Sequence, residues 1–247
     1  MSTQTIVIVG AGPGVGYETA KRFAQAGWAI GLIRRNTDAL DSFAAELRAA
    51  GASVATAAAN AEQPALIASA VTHLGRELGG IDVLVYNVPG PLREAYGRST
   101  DVSLSALQTF LTVRVVSALA SLQAALPFLE LSKGAAFFTS GQSDRHAYPN
   151  TGLIGAPQAA LRMLAQHLHT ELRTSDVFVG YLPLDNPPLY SDPEQEKLRT
   201  DIPEGFSISE RVVASDVAAQ IFTLNRTRDG FEHPVKPSVR VVPCAYP

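Results

Sequence analysis

Several residues that could do acid–base or anion-binding chemistry crowd one short stretch: Ser140, Gln142, Ser143, Asp144, Arg145, His146, Tyr148 and Asn150. His146 is a side chain that titrates near neutral pH and could act as acid or base. Tyr148 could donate a phenolic proton if its loop folds inward. An ordinary hydrophilic loop would show the same composition. Arg114 is different, because it stands in the apolar run Phe-Leu-Thr-Val-Arg-Val-Val-Ser-Ala-Leu-Ala. A cation there must find a partner or a ligand. It could hold a substrate carboxylate, stabilise an oxyanion, or form a buried ion pair, for instance with Asp144. A third group is Gly10-Ala-Gly12-Pro13-Gly14-Val15-Gly16, placed between an apolar run and a helix-like Tyr17-Glu-Thr-Ala-Lys. Glycines permit a tight turn and close backbone approach, and a helix N-terminus offers N–H groups to a pyrophosphate.

These residues need a scaffold, and the hydrophobic pattern supplies one. Short apolar runs at Thr5–Val9, Trp28–Ile33, Ser53–Ala57, Asp82–Tyr86, Ala135–Thr139, Val177–Tyr181 and Val239–Val242 read as strands. Amphipathic stretches at 14–26, 38–50, 64–78, 103–130, 152–173 and 208–225 read as helices. Strand–helix alternation predicts an α/β fold: one doubly wound Rossmann-type domain, with about seven parallel strands covered by helices on both faces. Asp38, before an Ala/Leu run, and Ser103, before Leu104, are expected helix caps. Pro183–Phe206 carries Pro183, Pro187, Pro188, Pro193 and Pro203 and reads as a lid or binding loop, 183–206. Tyr181, Asn186 and Tyr190 could line it or simply pack the loop.

Composition narrows the function. The chain has 247 residues and a formal charge of −3 with no basic run, which argues against a nucleic-acid partner. Its apolar stretches read as too short to span a bilayer, so no membrane association is expected. The single cysteine, Cys244, excludes an intrachain disulfide, fits a reducing cytoplasm and reads as a bland surface or interface thiol. His167 and His169, two apart on a helix, point to different faces and make a poor metal pair. No cysteine–histidine cluster suggests zinc, and no Gly-x-Ser-x-Gly elbow suggests a hydrolase.

The spacing Gly10-x-x-x-Gly14-x-Gly16 resembles that of the short-chain dehydrogenase/reductase family. So do Gly-Gly-Ile-Asp82-Val-Leu-Val-Tyr-Asn87, Ala-Ala-Leu-Pro127, Gly134 through Ser140, and Val-Gly-Tyr181-Leu-Pro183. The resemblance covers nearly the whole chain. It implies that residues 10–16, Asn60, Ala61, Asn87 and Pro183 bind a nicotinamide dinucleotide. In the family an arginine where Arg35 stands, beside Arg34, contacts the 2′-phosphate, which implies NADP(H). A solvated arginine pair is the alternative reading. Association into a homodimer or homotetramer through helices 103–130 and 152–173 is also implied.

Family chemistry uses a tyrosine acid–base, a lysine, a serine and an asparagine. Alignment on Ala159-Ala160-Leu161 places Ile154 at the tyrosine and Gln158 at the lysine. The serine position falls on Gly141, beside Ser140, and the asparagine position on Arg114. No tyrosine occurs between 149 and 180 and no lysine between 134 and 196, so a register shift restores neither. The spacing of Tyr17 and Lys21 lies on the glycine-loop helix. Three readings stay open: an NADP(H)-dependent oxidoreductase whose proton donor has moved to His146 or Tyr148 or is solvent, with Arg114, Ser140 and Gln158 as further candidate site residues; a non-redox enzyme of cyclase or isomerase type using Arg114; and a nucleotide-binding pseudoenzyme or partner subunit. The substrate is expected to be a small molecule.

Overall fold

The apolar runs become buried strands because helices cover the sheet on both sides. The computed structural model describes residues 3–90, 92, 95–199, 202 and 209–240. Six parallel strands are β1 (Thr5–Val9), β2 (Ala29–Arg34), β3 (Val54–Ala58), β4 (Val83–Tyr86), β5 (Ala135–Gly141) and β6 (Phe178–Leu184). Their order is β3-β2-β1-β4-β5-β6. The winding direction reverses between β1 and β4, and that is where a crevice opens beyond the strand C-termini.

Eight helices follow in chain order: α1 (Val15–Ala24), α2 (Thr37–Ala49), α3 (Pro64–Glu77), α4 (Leu104–Leu111), α5 (Ser117–Ser132), α6 (Gly152–Glu171), α7 (Pro193–Lys197) and α8 (Ala214–Thr227). Phe23 of α1, Leu40 and Leu47 of α2, and Val217 and Ile221 of α8 fill one face of the sheet. Ile67 and Leu74 of α3, Leu122 and Leu129 of α5, and Leu161 of α6 fill the other. Ser103 caps α4 as expected, accepting from Ala106 N at 3.1 Å. The cap of α2 is Asn36, whose Oδ1 accepts from Ala39 N at 3.2 Å, and Asp38 lies inside the first turn.

The sheet has six strands rather than about seven. Val239–Arg240, part of the expected last strand, forms β8 and pairs antiparallel with β7 (Glu210–Arg211). Val241 and Val242 lie outside the described residues, as does Cys244. The chain instead reaches the free edge of β6 earlier, through isolated bridges Tyr181–Glu232 and Leu184–Val235. Pro183 on β6 and Pro237 on the added segment lack N–H donors at positions facing each other's chain, so the ladder is interrupted. The expected helix 208–225 begins only at Ala214, because β7 takes its first residues.

The expected helix 103–130 runs on to Ser132 and is broken by one π turn, Thr112–Val116. Contrary to the sequence expectation, the 29-residue run Leu104–Ser132 is long and apolar enough to cross a bilayer. Here Ala118, Leu122, Ala125 and Leu129 pack it onto the sheet. The π turn has a specific cause and use. Ser117 N–H bonds the Thr112 carbonyl, five residues back, instead of Val113. The freed Val113 carbonyl accepts from the buried hydroxyl of Tyr86 at the end of β4. Burial holds the Tyr86 phenol well above its ordinary pKa, so it remains a donor.

The described residues of 183–206 carry regular structure and buried contacts. Pro183 and Leu184 belong to β6. Asp192 caps α7 through Glu194 N at 2.9 Å. Arg211, fully buried, donates to the carbonyls of Pro187 at 2.8 Å and Pro188 at 3.0 Å and pairs with Glu196 at 3.1 Å. Arg199 adds Pro188 O at 2.8 Å and Glu196 at 2.9 Å. Thr200, Asp201 and residues 203–206 lie outside the described residues. Tyr86→Phe is expected to strand the Val113 carbonyl and cost about 1–3 kcal/mol. Urea unfolding would show this as a lower midpoint at an unchanged slope.

Candidate active site

The glycine loop joins β1 to α1 under tight backbone constraints. Gly10 has φ +93°, and a Cβ there would lie 2.5 Å from the Asn87 carbonyl. A Cβ on Gly16 would strike the Gly10 carbonyl, so α1 can begin hard against the strand end only with glycine there. Above Gly12 there is open space. No side chain caps α1, which leaves its N-terminal turn facing a cavity of 1090 Å³. Gly10, Gly12, Gly14 and Val15 line that cavity. Pro13 and Gly16 do not, and they shape the loop from behind. Such an open cradle, next to a helix N-terminus, fits a pyrophosphate.

The ends of β2 and β3 extend the same wall with Arg34, Arg35, Asn60 and Ala61. Arg34 is part-buried, which pushes its pKa down, and its guanidinium lies 5.5 Å from the Phe43 ring centroid. Asn60 Oδ1 is occupied by Glu62 N at 3.1 Å, so its N–H₂ is the group left for a base edge. Asn87 does structural work. Its Oδ1 accepts from Thr139 at 2.6 Å and its Nδ2 donates to Gly10 O at 3.4 Å, tying β4 to the glycine loop and β5. Pro183 sits within β6, opposite Ser140, and does not line the cavity. Leu184, Asn186 and Tyr190 of the following segment do. Tyr190, one of the residues the sequence offered for the lining of this segment, faces the glycine loop. Its ring lies 2.6 Å from where a Gly14 Cβ would be, with Arg199 stacked 4.3 Å from its centroid.

At the other pole Arg114 projects from the π turn and is almost wholly buried. Nη1 donates to Val88 O at 2.7 Å, and Nη2 to Ser140 Oγ at 2.9 Å and Thr139 O at 3.4 Å. Nε has no acceptor. Burial lowers the guanidinium pKa, while the Tyr181, Tyr86 and Asp144 side chains oppose that shift. The ion pair with Asp144 considered from sequence does not form. Asp144 is taken by Arg145, at 2.7 and 2.8 Å, and by the Tyr181 hydroxyl at 2.7 Å. Burial, with Asp144 beside it, holds the Tyr181 phenol above its ordinary pKa, while the neighbouring Ser140 and Arg114 oppose the shift. Tyr181, read from sequence as a lid residue, lies fully buried beneath the site.

Gln158 of α6 reaches the same region. A Cβ on Gly141 would come within 2.8 Å of its Nε2, so the absent side chain at 141 makes room for the amide. Its Oε1 is buried without a partner. Ile154, one turn earlier, presents only hydrocarbon to the cavity. Tyr148 lines the mouth at 49 % exposure. His146 lies on the exposed outer side of the loop and does not line the cavity. His167 is exposed, whereas His169 is partly buried, with Nδ1 2.7 Å from Val179 O and its ring beside Phe178 and Phe231. Among the described residues no His/Cys/Asp/Glu cluster could hold a metal.

A six-stranded doubly wound sheet, with a glycine cradle at the point where its order reverses, defines a Rossmann-type nucleotide-binding protein. The short chain dehydrogenase family profile matches residues 4–183, and the chain belongs to that family. An uncharacterised oxidoreductase of Mycobacterium tuberculosis is 30% identical over 186 residues, spanning 73% of this chain and 70% of that protein. Two solved structures share the fold at 20% identity. One is an alcohol dehydrogenase from the archaeon Thermococcus sibiricus complexed with 5-hydroxy-NADP, at TM-score 0.79 and 97% of each chain. The other is L-sorbose reductase from Gluconobacter frateurii with NADPH and L-sorbose, at TM-score 0.81, 96% of this chain and 97% of that one.

Tyr190 covers the cradle from the solvent side. Tyr190→Ala is therefore expected to speed association of a nicotinamide dinucleotide in stopped-flow fluorescence. The melting temperature should fall by only a few degrees, because Arg199 and Arg211 keep their carbonyl partners.

Proposed function

We propose that this chain is an NADP(H)-dependent oxidoreductase acting on a small organic substrate, with an acid–base arrangement unlike the family's Asn-Ser-Tyr-Lys set. One observation carries the reading. A single cavity runs from the glycine cradle and two arginines at one pole to Arg114, Ser140 and Gln158 at the other. Its volume, 1090 Å³, lies at the upper end of the usual range for ligand pockets, roughly 300–1,000 Å³, which supports a large ligand.

Arg34 and Arg35 would hold the 2′-phosphate, since guanidinium–phosphate bonds are charge-assisted and no carboxylate occupies the β2 end before Asp38. The Gly10–Val15 backbone would hold the pyrophosphate, and Asn60 would meet the base edge. Bound nicotinamide supplies a hydride for transfer to or from the substrate. The protein's own part is to place and polarise. Ser140, its oxygen accepting from Arg114, can offer its hydroxyl proton to a substrate oxygen or nitrogen. Gln158 can bond a ribose or substrate hydroxyl, but it carries no charge to depress a neighbour's pKa. Ile154 has no proton to give. Tyr148, at the mouth, is the phenol best placed to exchange protons between substrate and solvent. An activated C=C or imine acceptor needs less acid catalysis than a ketone and suits this wall. Assembly into a homodimer or homotetramer through α4–α5 and α6 belongs to the same proposal.

Nicotinamide fluorescence titration tests the cofactor. NADPH should bind more tightly than NADH. Arg35→Ala should weaken NADPH by roughly 10- to 100-fold and NADH by less than about twofold. Equal wild-type affinities would remove the 2′-phosphate assignment. Oxidation of NADPH in the presence of a carbonyl, enone and imine panel tests the reaction class. Turnover without net change in the cofactor would favour a non-redox step instead.

A further inference from the structure

The charges around Tyr181 do not balance. The side chains grouped around Tyr181 and Asp144 include three guanidiniums: Arg114, Arg145 and Arg162. They include two carboxylates, Asp144 and Glu232. Arg145 and Arg162 both engage Glu232, Arg162 at 2.8 Å. Arg145 grips Asp144 bidentately, and Arg162 approaches it at 4.0 Å. Those two cations therefore account for both anions. Arg114 is left with three neutral acceptors, and among the described residues it has no carboxylate within ion-pair distance. Asp144 acts on it only through space. Other carboxylates of the cavity wall, Glu62, Asp185 and Glu210, make no ion pair with it.

A buried cation without a counter-charge is costly, and hydrogen bonds to neutral groups offset only part of that cost. The protein keeps it at a cavity wall, where an anion can reach its field at low dielectric. The neighbouring surface is otherwise apolar or neutral: Val88, Val113, Ile154, Ser140 and Gln158. None of these lining side chains is anionic, and Asp144, whose field reaches Arg114, lies behind the wall with Arg145 on it. We infer that this pole is an anion subsite and that the substrate carries a carboxylate, seated against Ser140 and the Arg114 guanidinium. The inference rests on the functional reading above, because it names the substrate class of the same cavity. The excess charge makes the second molecule in the cavity an acid rather than a neutral alcohol, ketone or sugar.

The probes are benzoate and its neutral isostere benzamide, titrated by calorimetry into the full-length protein with and without saturating NADPH. Benzoate should bind at least roughly tenfold more tightly than benzamide, the advantage expected of a charge-assisted contact. Arg114→Gln should reduce that ratio to about one, whereas Ser140→Ala, which keeps the cation, should preserve most of it. Equal affinities for the two probes in the wild type would overturn the inference. So would no detectable benzoate binding up to about 10 mM. The wild-type comparison needs no variant, so a misfolded Arg114→Gln leaves the test intact. Failure of NADPH to bind would count against the cofactor reading alone, because benzoate selectivity is also read without it.

Discussion

Arg114 is the interaction on which the site depends. Its guanidinium joins three elements that the chain leaves far apart: the turn after β4 through Val88, the end of β5 through Thr139 and Ser140, and the π turn between α4 and α5. A cation of this kind can be buried only where several acceptors converge. Open strand ends provide them, because carbonyls there have no further ladder partner. The π turn is part of the same solution. It changes the helical phase at Val113, and Tyr86 from β4 closes the carbonyl so released. Loss of the clamp would loosen both strand ends that form the cavity floor.

The opposite pole is built from backbone rather than charge. Gly10 and Gly16 let β1, the Asn87 turn and the start of α1 meet at distances no side chain would tolerate. Tyr190 then leans over Gly14 from a segment fixed by the buried Arg211–Glu196–Arg199 group. The two poles differ in what they ask of a ligand. The cradle and the β2 arginines suit phosphates. The Arg114 wall is nearly apolar and carries a single unbalanced charge.

Much of this was legible in the residues. The glycine spacing, the alternation of strands and helices, and the Ser103 cap each follow from local rules, and all three hold. Arg114 was conspicuous because a charge in an apolar run demands an explanation. Other features were invisible. Asp144 looked like a partner for Arg114, but Arg145 and Tyr181 claim it, and only the folded arrangement ranks such competitors. His146 looked like a site residue from its neighbours, yet the loop turns its ring outward. Val239–Val242 had a strand's composition, and its described residues Val239 and Arg240 pair with Glu210–Arg211 instead of with the main sheet.

The sequence by itself determined the class of fold and the glycine turn between β1 and α1, because periodicity and glycine placement act over a few residues. It also determined side-chain chemistry: Ile154 has no proton to give, and Gln158 no charge. The tertiary structure decided what stands in those places. Gln158 fills the space left by Gly141, Ser140 is held by Arg114, and the charges around Tyr181 sum to an uncompensated cation at the cavity wall. Each of these depends on contacts between residues 17 to 87 positions apart, and on which of several possible partners comes within hydrogen-bond distance once the sheet and helices have packed.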